Sequence, residues 1–134
     1  MRSLRPETEQ VVESLFEKRG FKVFHPEKVL LDEQVSVIRD AKWLAGLVGS
    51  QLHLAVFSTA VAPRLFRICP SFHASKLDGT IMHSLGGSLY HFQPADFGRL
   101  DAQEQHLGQF QRSWDISPED LLRLEAEIDK WLES

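Results

Sequence analysis

The stretch Gly46-Leu47-Val48-Gly49-Ser50-Gln51-Leu52-His53 sets an apolar run against small residues and a histidine, the composition of a buried strand that opens directly into a helix. The first amides of a helix have no internal carbonyl partner, and the helix dipole adds partial positive charge at the same end. A diphosphate suits such a corner because its oxygens accept several N–H bonds at once. Glycine and serine also serve any tight strand-to-helix turn, so spacing alone leaves both readings open. Neither G-x-G-x-x-G nor G-x-x-x-x-G-K-[ST] occurs, so the dinucleotide and ATP fingerprints are missing. His53 falls on the first turn of that helix, where a histidine by itself fills a structural place.

Three further residues have polar chemistry at helix starts. Glu33 and Gln34 fall in the first turn of a second amphipathic segment, where the dipole favours glutamate without any ligand. Asp78 precedes a short helical run, Thr80 to Leu85, and is placed to cap it. His25, His73, His83, His91 and His106 show no metal-ligand spacing, and Cys69 is the single cysteine, so neither a bound metal nor a disulfide is predicted. Cys69 ends the strand-like run Leu65-Phe66-Arg67-Ile68 and reads as a small buried hydrophobe. No pattern specifies a catalytic base.

The elements that must position these residues alternate. Pro6 to Arg19 has helical apolar spacing at Val11, Val12, Leu15 and Phe16 and is closed by Gly20. Phe21 to Phe24 alternates as a short strand, and Asp32 is placed to cap a helix that runs to about Lys42. Trp43 to Val48 is apolar without alternation, as a strand buried on both faces would be. Leu52 to Phe57 then reads as a helix, Arg64 to Cys69 as a strand, and Ser88 to Phe92 as the last strand. About four short strands separated by helices predict a parallel α/β sheet with helical crossovers. Gln93 to Asp115 is aperiodic and reads as a surface crossing segment. Ser117-Pro118-Glu119-Asp120 opens a final helix with a capping serine, and Leu121, Leu122, Leu124, Ile128, Trp131 and Leu132 form its apolar face.

Pro26-Glu27, Leu31-Asp32-Glu33-Gln34, Ala41, Gly46, Gly49-Ser50-Gln51-Leu52-His53 and Phe57 follow one another in an order that resembles the C-terminal part of glycosyltransferase family 61, the capsular-polysaccharide type. Asp78-Gly79-Thr80-Ile81-Met82 and Gly86-Gly87-Ser88-Leu89 extend the resemblance, which spans about residues 20 to 92. The chain departs from that pattern at Val48, where many members carry His or Tyr, and at Val61-Ala62-Pro63, where the family has a Pro-Gly turn. The resemblance implies a Rossmann-like sheet, the second half of a GT-B architecture, gripping a nucleotide-sugar donor that is UDP-linked. It implies metal-independent hexosyl or pentosyl transfer in polysaccharide or glycan synthesis, with no cofactor. The donor-binding positions carried over are Gly49, Ser50, Gln51, Leu52, His53, Glu33, Gln34 and Asp78. The family's acceptor-side half has no counterpart among these residues, so the chain is expected to need such a half or a partner chain. The competing expectation is a catalytically inactive interaction module, or a homodimer, derived from such a domain.

Composition bounds the remaining classes. A chain of 134 residues with 43% hydrophobic and 25% charged residues fits one globular domain, able to bury roughly two-thirds of its open-chain surface. We divide it into an α/β core over residues 1–92, the crossing segment 93–116 and a C-terminal helix over 117–133. A net charge of -4 with dispersed Lys and Arg argues against nucleic-acid binding. No apolar run reaches the ~18 residues of a membrane span, and Met1-Arg2-Ser3-Leu4-Arg5-Pro6-Glu7 is no signal core, so a cytoplasmic location is expected.

Overall fold

The apolar runs around Gly46, Phe66 and Tyr90 each form a strand in the computed structural model, which describes residues 4–25, 28–47, 55, 57–69, 77–95 and 114–134. The chain divides into two compact units. One comprises Phe24–Cys69 and Ala74–Phe92, and the other Met1–Val23, Pro70–His73 and Gln93–Ser134.

The first of these units is a parallel α/β sheet. Its strands are β1 (Trp43–Leu47), β2 (Arg64–Ile68) and β3 (Ser88–Phe92), in the order β1-β2-β3 with both pairings parallel. Its helices are α2 (Leu31–Arg39) and α3 (Leu77–Ser84), numbered after α1 (Pro6–Glu17), which lies in the other unit. The predicted α/β class is therefore present, with three strands among the described residues where about four were expected. β2 is central, so Leu65, Phe66 and Ile68 are fully enclosed, whereas all five residues of β1 are only half-buried. The expectation of a β1 strand buried on both faces is corrected accordingly: β1 pairs only with β2 among the described strands.

Leu44, Leu65 and Leu89 are level in the register and share one face. Against them pack Ala55, the α3 residues Ile81 and Met82, and Leu85 just after that helix. The opposite face carries the rings of Phe66 and Tyr90, stacked at 5.1 Å, with Phe92 at 6.5 Å from Phe66. Arg64 lies 4.1 Å over the ring of Trp43, its neighbour in the register. The turn before β2 places Ala62 at φ 50, the left-handed region, at the point where the resembling family has Pro-Gly. After α3, Gly86 takes φ 69 and Gly87 passes so close to Pro63 that an added Cβ would lie 2.1 Å from its carbonyl oxygen. That approach lets Ser88 N–H donate to the Pro63 carbonyl at 3.0 Å, which starts the β2–β3 ladder.

Two helix starts differ from expectation. The residue before α2 is Leu30, extended and without a side-chain cap, so Asp32 lies inside the first turn rather than capping it. The end of α2 at Arg39 is fixed because Thr59 donates its amide to the Arg39 carbonyl at 2.8 Å, short of the expected Lys42. α3 begins at Leu77, three residues before the expected Thr80, so Asp78 is a helical residue and not a cap. The predicted helix Leu52–Phe57 lies mostly outside the described residues, as does Val48.

In the other unit, α1 packs with α4 (Pro118–Glu133). Both helices have proline in the first turn followed by acids, and Ser117 accepts from the Asp120 amide as the predicted cap. The expected strand at Phe21–Phe24 does not form. Phe21 N–H donates to Phe16 O at 3.2 Å and Gly20 N–H to Glu17 O at 3.0 Å, with Gly20 at φ 87, which closes α1 in a Schellman turn. The Phe21 ring then meets Phe16 edge-on at 5.3 Å and Trp131 at 6.0 Å, spending this residue on helix packing. Arg19 grips Asp129 of α4 through Nε at 2.7 Å and through its terminal nitrogen at 3.1 Å. That pairing holds the Asp129 carboxyl below its usual range. The buried face of α4 is Asp120, Leu124, Ile128 and Trp131; Leu122, expected there, is 73% exposed, as is Val11 of α1 at 44%. Leu4 and Trp114 form a parallel bridge, so the described end of the crossing segment is pinned at Trp114. No described helix is long and apolar enough to cross a membrane.

Candidate functional site

Parallel strands share a carboxyl edge, and ligands of open α/β sheets settle there. Gly46, Arg67 and His91 are level with one another and each is the last residue but one of its strand. Side-chain alternation puts them on the face of Leu44, Leu65 and Leu89, one step nearer the carboxyl edge. Thus the row under the middle of α3 is apolar, and the next row is glycine, arginine and histidine.

α3 supplies the matching group. Asp78 and Met82 are four residues apart on one helical stripe and are both buried. Four helical residues rise about 6 Å and two strand residues about 6.6 Å, so a helix running against the strands can set Met82 over the Leu65 row and Asp78 over the Arg67 row. The distances agree with this pairing. An Arg67 terminal nitrogen meets Asp78 Oδ2 at 3.1 Å, with side-chain exposures of 7% and 1%. The Arg67 Nε donates to His91 Nδ1 at 3.2 Å, and its other terminal nitrogen lies 3.1 Å from the same atom. Asp78 also sits in the first turn of α3, where the helix dipole favours a carboxylate.

The electrostatics fix more than the contacts alone. Arginine has donors and no acceptor, so Nδ1 must accept, and a neutral His91 then carries its proton on Nε2. His91 itself is exposed while its anchor is enclosed. A buried ion pair gives little net stability compared with an apolar pair of the same volume, but removing one partner is expensive. The Arg67–Asp78 pair is therefore best understood by what it holds, an imidazole of defined tautomer at the carboxyl edge.

The positions expected from sequence distribute unevenly. Asp78 falls in this cluster, though paired to Arg67. Glu33 and Gln34 are on α2, Glu33 exposed and Gln34 donating its side-chain amide to Val29 O at 3.0 Å, which serves the start of its own helix. Gly49, Ser50, Gln51, Leu52 and His53 lie outside the described residues, beginning three positions after Gly46 in sequence. Sequence reasoning did not single out Arg67. A charge inside Leu65-Phe66-Arg67-Ile68-Cys69 was the available signal, because such a residue must find a buried partner. Among the described residues, no group of three or more His, Cys, Asp and Glu side chains is arranged to hold a metal ion.

Comparison with known proteins bears on the first part of the chain. The model of the family described as Glycosyltransferase 61 matches residues 3–65. No curated protein and no solved structure matches the chain. The match takes in α1, α2 and β1, the Gly49 to His53 segment and the first two residues of β2, and stops before Arg67. Over residues 3–65, a little under half of its length, the chain is similar to the glycosyltransferase 61 family.

Proposed function

We propose that this chain binds the nucleotide-sugar donor of a glycosyl transfer, with the donor's diphosphate at the carboxyl edge of the β1-β2-β3 sheet. The family match over residues 3–65 carries the reading, because it includes both β1 and the Gly-Ser segment that follows it. The parallel sheet supports it, since a strand of this kind delivers its next turn to the ligand-binding edge. In this reading the amides and small side chains of Gly49 to His53 meet the phosphates, a UDP-linked sugar is the donor, and no metal is needed. The product belongs to polysaccharide or glycan synthesis of the capsular type, in the cytoplasm. Transfer then requires an acceptor-side half, in a partner chain or elsewhere, to supply the base.

Calorimetric titration with UDP and UDP-sugars, together with amide shift mapping, tests this directly. Binding with shifts at Gly49 to His53 is expected. Nucleotide binding that leaves those amides unmoved, or no binding, overturns it.

A second reading is an inactive interaction or dimerisation module. Leu30 and Leu31 at the start of α2 are 74% and 59% exposed, and Val37 is 50% exposed. Exposed apolar residues so close together favour association. Size-exclusion chromatography over a concentration series separates the readings: a strict monomer that binds UDP excludes the module.

A further inference from the structure

A buried charge pair behind an exposed histidine has a use that the family match does not supply. We propose that Arg67, Asp78 and His91 form a diphosphate-recognition cluster, in which the buried Arg67–Asp78 pair holds His91 with its proton on Nε2, the nitrogen that meets a phosphate oxygen. The inference rests on reading the carboxyl edge as the donor site, and it names residues beyond the matched segment 3–65.

Three observations converge. The cluster occupies the last-but-one position of β2 and of β3, at the edge where a parallel sheet receives ligands. Across from Arg67 in the register stands Gly46, which adds no side chain to that row and lies three residues before Gly49. The Arg67 side chain is 7% exposed and fixed by its ion pair with Asp78, whereas His91, which it holds, is exposed. In the proposed arrangement His91 touches the ligand, Arg67 positions His91, and Asp78 positions Arg67.

The test uses the full chain, with nitrogen-15 in its histidines, at about pH 8.5 so that ordinary imidazoles are neutral. His91→Gln assigns the ring signals. Without ligand, the long-range proton–nitrogen spectrum should show His91 protonated on Nε2 with an accepting Nδ1. Inorganic pyrophosphate and, separately, UDP should each shift Nε2. His91→Ala, at an exposed position compatible with folding, should weaken both probes by about tenfold, the loss of one hydrogen bond to a charged group. Arg67→Lys keeps the charge without the planar fork and should leave a mixture of tautomers, a change that a purely structural arginine would not produce.

UDP binding with Gly49 to His53 shifted, His91 unmoved and His91→Ala unimpaired overturns this cluster while leaving the proposed function standing. Pyrophosphate shifting His91 while UDP and UDP-sugars fail to bind supports the cluster and overturns the nucleotide-sugar reading. Failure of both probes overturns both, and a ligand-free His91 protonated on Nδ1 overturns the cluster by itself.

Discussion

Replacing Arg67 by methionine keeps the apolar stem of the side chain and removes the partner of a carboxylate that is 1% exposed. Breaking one side of such a pair costs about 3–5 kcal/mol, because the remaining charge stays buried without compensation. The sheet unit should feel this locally, since Arg67 lies between Gly46 and His91 in the register of the central strand. Native-state hydrogen exchange at the amides of Leu65 and Phe66 reads the effect without assuming that the two units unfold together. At 1.4 kcal/mol per power of ten, exchange there should accelerate by about two to three and a half powers of ten. Asp78→Leu alone removes the carboxylate that neutralises the guanidinium and should cost a similar amount. The double variant Arg67→Met with Asp78→Leu leaves no charge to strand and should recover most of the loss. If Arg67→Met changes Leu65 exchange by less than about fivefold, or if the double variant equals the sum of the singles, then the pair is not the buried, coupled unit described above.

Gly87→Ala would place a Cβ 2.1 Å from the Pro63 carbonyl oxygen, so backbone must move and the Ser88 to Pro63 hydrogen bond with it; a loss of about 2–4 kcal/mol in denaturant unfolding is expected. Ala62→Gly runs the other way: relief of left-handed strain of about 1–2 kcal/mol, less about 0.4–1 for the freer unfolded chain, should leave a small net gain in thermal stability. Asp129 is held below its ordinary value of 3.8 by its hydrogen bonds to Arg19, so its contribution is present above that value and is lost as pH falls through the lower folded value. Asp129→Asn should therefore flatten the acid side of the stability profile measured by melts across that range, with little effect of the substitution at the lowest pH.

Much of the architecture follows from residue patterns. Ser88 to Phe92 and the Ser117-Pro118 helix start are local statements that lie where the sequence places them, and the strand expected over Arg64 to Cys69 ends one residue earlier, at Ile68. Phe21 shows where local pattern fails. Its alternation with Val23 suits a strand, but the left-handed Gly20 returns the chain to α1 and commits the ring to Phe16 and Trp131. Asp78 fails for a related reason, because its partner is a buried arginine eleven positions earlier. His91 is farther still, 24 positions from Arg67, and only strand register makes them neighbours. Glycine and serine after β1 were readable as a possible phosphate turn, since that signal is contiguous. The charged cluster was not, since it is assembled from two strands and a helix.

Cys69, the lone thiol, is wholly enclosed, and its amide, just past the end of β2, donates to the carbonyl of Phe92, the last residue of β3, at 3.0 Å. The sulfur should be unreactive toward a maleimide dye in the native protein and become labelled only when the sheet unit opens. The chain thus carries a built-in chemical reporter: labelling kinetics follow the breathing of the central strand, with and without UDP, and involve no engineered residue.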